Sequence, residues 1–194
     1  MNLPVITWKG EGIDDIEILP NLPHNLLNLL AETNGFILHS GALHVRGATT
    51  APDWHSLRAA WHGTHAFHIL YEAVQSSDIP FAQDQVGDQF LTRDCTILRL
   101  EAETGEIEPV NDSLEDFFDR VRSDISGFLN VGLSHTMEPG QLLRAVPPFC
   151  LQGSADKVSL RPSPATEVIL WHAELAKQIR HIPDGEQVEI KWTN

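Results

Sequence analysis

Between residues 80 and 110 the chain alternates short strand-like runs with connections too brief for anything but reversal. The runs 81–84, 89–93, 96–100 and 107–110 are separated by Val86-Gly87-Asp88, by Asp94-Cys95 and by Glu103-Thr104-Gly105-Glu106. Parallel neighbours need a crossover of about a dozen residues or more, so these runs pair as an antiparallel meander. Gly105 supplies the positive φ that a hairpin turn wants, and Gly87 allows a tight turn between Phe81 and Phe90. Asp84 and Asp88 can accept hydrogen bonds from the amides of that turn. Pro109 marks the last run as an edge or a strand end.

Helical patterns flank the meander. Pro23 opens a helix carrying Leu26, Leu27, Leu29 and Leu30, and Asn34-Gly35 closes it. Residues 36–38 and 42–45 then form a hairpin around Ser40-Gly41. Asp53 is expected to cap a helix through Trp54, Leu57 and Trp61, and Thr64 a second one reaching Val74. Ser113 begins a capping box, after which Leu114, Phe117, Phe118, Val121 and Ile125 fall within about 100° of arc. Its other side carries Glu115, Asp119 and Arg122. Beyond Pro139-Gly140 the pattern gives strands at 142–146 and 158–160, a helix over 164–180 and a strand-like tail at 188–192. The expectation is an α+β fold with a mostly antiparallel twisted sheet and helices packed on it. With 194 residues and no Ser/Gly linker, it reads as one domain, 1–194, with a core of about 20–130 and a C-terminal extension of about 131–194.

Charge narrows the function classes. The chain has 13 basic and 27 acidic residues, a net charge of -14, and residues 72–130 alone hold 14 acids and 4 bases. A phosphate backbone needs a basic footprint, so direct nucleic-acid binding is not expected, nor is docking to an anionic membrane. A basic partner is the expected complement. The first nine residues show no secretory signal. Cys95 and Cys150 stand outside any zinc or CxxC spacing and read as buried free thiols of a reducing compartment, hence the cytoplasm.

Motifs for catalysis are sparse. There is no GxSxG, HExxH, P-loop or GxGxxG. His65, His68 and Glu72, spaced i, i+3, i+7, would share one face of a helix and are the best metal candidates, but no further ligand is fixed by spacing. No metal or cofactor is expected, and no catalytic residue is assigned. His172 falls on the apolar arc of the last helix and reads as a hydrogen-bonded core histidine. Trp54 and Trp61, seven apart, would share a helix face, with Trp54 the better candidate for an interface.

The run Pro80-Phe81-Ala82-Gln83-Asp84-Gln85-Val86-Gly87-Asp88-Gln89-Phe90 follows a helix ending Leu30-Ala31-Glu32-Thr33-Asn34-Gly35-Phe36, a hairpin with Gly41 and a Trp-containing segment. Residues 99–108 and the Ser-Leu-Glu-Asp-Phe-Phe helix continue the order. In this sequence of motifs the chain resembles the SUKH superfamily over about residues 20–130, and 135–180 looks like the C-terminal extension of one bacterial branch. The resemblance implies an α+β fold and a non-enzymatic role. Bacterial members are similar to immunity proteins that neutralise a toxin by binding it, and fungal relatives act as scaffolds or regulators. The leading expectation is thus a cytoplasmic immunity protein for a basic toxin domain. A regulatory adaptor without a toxin is the alternative, and a metal-assisted hydrolase using His65, His68 and Glu72 the second. The expected contacts are Asp84, Glu101, Glu103, Glu106 and Glu108 on the meander, with Trp54; Glu103 and Glu106 flank a turn and should be the most exposed.

Overall fold

A computed structural model describes residues 5–129, 135–151, 158–183, 185–187 and 189–190. The chain is α+β. Strand β1 (Ile6–Lys9) leads to helix α1 (His24–Glu32) and to β2 (Phe36–Leu38) and β3 (Leu43–Val45). Two short helices follow, α2 (Leu57–His62) and α3 (Phe67–Leu70). The meander is β4 (Ile79–Asp84), β5 (Gln89–Arg93), β6 (Thr96–Leu100) and β7 (Ile107–Asn111). Then come α4 (Leu114–Ser123), α5 (Ile125–Leu129), the hairpin β8 (Gln141–Val146) and β9 (Ser159–Pro164), and α6 (Ala165–Ile179).

Strands β1 to β7 form one sheet in sequence order, every pairing antiparallel. Period-two alternation divides its side chains between two layers. Val45, Ala82, Phe90 and Ile97 meet α1, α4 and α5 in an apolar layer centred on Phe117, whose ring lies 4.8 Å from that of Phe90 and 5.5 Å from that of Phe81. Leu91, Leu98 and Leu100 face the other way, onto Phe67, Tyr71 and the Ala173 and Ala176 side of α6. The C-terminal segment therefore covers the second face of the meander. Leu143 donates its amide to the Gln85 carbonyl, 2.7 Å, fastening β8 to the β4–β5 turn.

Several boundaries differ from the sequence pattern. Trp54 precedes α2, whose N-cap is Ser56, with Oγ accepting from the Ala59 amide; a separate turn over 52–56 intervenes, so Trp54 and Trp61 share no helix face. The Thr64 helix shrinks to the four residues of α3, capped by Ala66. Strand β1 is too short for its pattern to stand out. Cys95 is exposed, because Asp94 and Cys95 are the two positive-φ residues of the β5–β6 turn. Of the expected tail strand, Glu189 and Ile190 are described and lie in no strand; the rest falls outside the described residues. Among the described residues no helix is long and apolar enough to cross a membrane.

Candidate functional site

The acidic candidates separate into interior and edge. Asp84 is fully buried, which corrects its expected place on the surface. It closes the turn after β4: the amides of Val86, Gly87 and Asp88 all donate to its Oδ1 at 3.0 Å. Arg99 lies 3.8 Å from the other oxygen and is held more closely by Asp88, 2.6 Å. Burial, with Asp88 alongside, pushes the Asp84 carboxyl well above the usual range, against the pull of Arg99 and the turn amides.

Glu103 is corrected too. It is 9% exposed, not the tip of a solvated turn, because the C-terminal segment folds over it. Its Oε2 accepts from the Cys150 amide, 2.8 Å, and its Oε1 lies 4.0 Å from His172 Nε2. Burial raises its pKa, opposed by the Cys150 and Phe149 amides. Burial lowers that of His172 to about 3, the Arg144 charge adding to the effect, so the imidazole is neutral and the contact is no ion pair. His172 is in the core as expected, but among the described residues its Nδ1 has no hydrogen-bond partner. It abuts Gly87, where a Cβ would come within 3.1 Å of Nδ1 at a φ of +99°. Burial, and after it Glu103, pushes the Cys150 thiol up to about 12, far from a nucleophilic thiolate.

The remaining meander acids lie at β7, the free edge of the sheet. Glu106 and Glu108 are exposed; Glu101 is half-buried, with Oε2 accepting from Thr104 Oγ1, 3.2 Å. The same rim continues through exposed Asp112 to Glu115 and Asp116 in the first turn of α4, three residues that charge counting did not single out as contacts. Their signal was the capping box itself, which puts carboxylates at a helix start beside the strand. Among the described residues Glu106, Glu108, Asp112, Glu115 and Asp116 take part in no salt bridge. Pro109 lacks an edge N–H, and Arg120 donates to the Val110 carbonyl, 2.9 Å. Charge and proline of this kind block strand addition, so the edge presents charged side chains rather than unpaired backbone groups.

Trp54 belongs to a different place. It is half-buried against Trp8, His44 and His55, with ring centroids 5.1–5.4 Å away. Below these rings runs a buried polar network on the second face of the sheet. His55 Nε2 pairs with the Asn34 carbonyl, 3.1 Å, and its Nδ1 with His44 Nε2, 2.9 Å; Gln83 donates to His44 Nδ1, 3.3 Å. Burial draws the His55 pKa down to about 4. Arg46 donates to the Pro80 carbonyl and to the side-chain oxygens of Gln83 and Gln89 at 2.7–2.9 Å. Alternation along β3 was readable, but not that His44 and Arg46 would be covered. No protein-family model matches the chain, and no curated protein is significantly similar to it.

The expected metal-binding face is not assembled. Only His68 of the trio lies in α3, and Glu72, beyond its end, pairs with Arg180. Among the described residues no three His, Cys, Asp or Glu side chains are grouped as metal ligands.

Proposed function

We propose that the chain is a non-catalytic protein-binding module, an immunity protein that neutralises a basic toxin domain in the bacterial cytoplasm. The observation carrying this reading is the rim of β7 and α4, where Glu106, Glu108, Asp112, Glu115 and Asp116 face solvent and, among the described residues, take part in no salt bridge. Such a predominantly acidic rim, with the cation Arg120 beside it, steers a cationic partner and discriminates against acidic ones. The resemblance of the 80–90 run to the SUKH superfamily supplies the biological class, and Asp84 and Gly87 within that run serve the fold. The free thiols of Cys95 and Cys150 suit a reducing compartment. The test is co-expression with a basic toxin domain, the first candidate being any encoded beside the gene for this chain. Restored growth together with an isolable complex is expected; full toxicity with no complex overturns the reading.

A further inference from the structure

A cavity of about 220 Å³ lies on the polar side of the sheet, where α2, the start of α3 and the start of α6 approach one another. Buried Arg46, Ala60 and Phe67 line it, with half-buried Trp54 and Ile169. Its charged or titratable lining residues besides Arg46 are Asp53 and His65, both exposed and so screened by water.

Arg46 is the unusual member. It is 2% exposed, yet among the described residues no carboxylate pairs with it. Its three hydrogen bonds go to a backbone carbonyl and two neutral amides. A guanidinium has five N–H donors, so among the described residues two find no protein acceptor. The Phe67 ring, 5.3 Å from Cζ, offers only a weak cation–π contact. Burial lowers the Arg46 pKa to about 9, which still leaves it charged at neutral pH. An unpaired buried cation is costly, and a hydrophobic residue would fill the same space without that cost. An anion entering the cavity would remove the penalty.

We propose that this cavity binds a small organic carboxylate, its apolar body against Trp54, Phe67 and Ile169 and its carboxylate on the Arg46 guanidinium. The size follows from comparison with a 150 Å³ apolar cavity that holds benzene: roughly ten non-hydrogen atoms fit. A single guanidinium among apolar walls suits a monoanion, since a phosphate dianion would want a second cation, and the neighbouring His44 and His55 are held neutral by burial. The site shares no residue with the acidic rim, so it stands or falls separately from the toxin-binding reading.

The test uses phenylacetate, phenylacetamide and acetate with the full chain, read by calorimetry and thermal unfolding. Phenylacetate should bind with a Kd of about 1 mM or tighter, the amide at least about tenfold more weakly, and acetate not detectably. Ala59→Phe, which fills the cavity from its wall, should abolish phenylacetate binding while the circular-dichroism spectrum stays unchanged. Arg46→Gln should reduce the acid to the affinity of the amide; if that variant does not fold, the acid–amide comparison and Ala59→Phe decide. Equal affinity for acid and amide, no binding of phenylacetate at 10 mM (roughly ten times that limit), or unchanged binding to Ala59→Phe would each overturn the proposal.

Discussion

Asp84, in the β4–β5 turn, and Glu103, in the β6–β7 turn, come from the same stretch of sequence as the acids of the β7 rim and have the opposite fate. Asp84 and Glu103 are enclosed and used by the fold, one by three turn amides and the other by the Cys150 amide. Glu106 and Glu108, only a few residues further on, are exposed, and among the described residues they take part in no salt bridge. The difference lies in what covers each position. The C-terminal hairpin and α6 lie over the second face of the meander and enclose Glu103, while β7 is the edge strand of the sheet and, among the described residues, pairs with β6 alone. Net charge in a segment is therefore not yet a charged surface; the surface is what remains after the interior has taken its share.

The largest effect expected from this contrast is at Glu103. Glu103→Lys places a cation where the Cys150 amide now finds its acceptor, and should cost about 3–5 kcal/mol in urea unfolding. Glu106→Lys, across the same turn, should stay within about 0.5 kcal/mol of the parent. Similar costs for the two would mean that Glu103 is not enclosed.

The covering segment leaves a second trace, in acid. An unfolded histidine titrates near 6.5, whereas His172 in the folded chain titrates at about 3. Between those values the unfolded state holds the extra proton, so falling pH favours unfolding. From pH 7 to pH 5 this group should remove about 2 kcal/mol of stability. His172→Gln should lose about that much less than the parent over the same interval; parallel losses in the two proteins would place His172 in water. Glu103, raised in the fold, works in the opposite direction, being stabilising at low pH and losing that contribution as pH rises through its folded value.

Much of this frame could be read from residue order. The 80–110 alternation marked β4 to β7, and Ser113 marked the start of α4, where its Oγ accepts from the Asp116 amide. The burial of Glu103 could not be read, because its cover comes from 47 residues away and from a helix further on. The start of α2 was misread because a turn over 52–56 imitates a helix start and puts Trp54 outside the helix. Arg46 was silent in the sequence: a lone arginine after a short strand looks like a surface residue, and only the packing of α2 and α3 over it makes it an interior cation.

The smallest effect on stability should come from the rim, and there the functional effect should be greatest. Glu106→Lys with Glu108→Lys is expected to unfold within about 0.5 kcal/mol of the parent. The decisive measurement is the association rate of parent and double variant with the proposed basic partner, at low and high salt. The variant should associate more slowly, most strongly at low salt, with the two rates converging as salt screens the rim. Equal rates at both salt concentrations, with the complex still forming, would contradict the assignment of β7 as the docking edge.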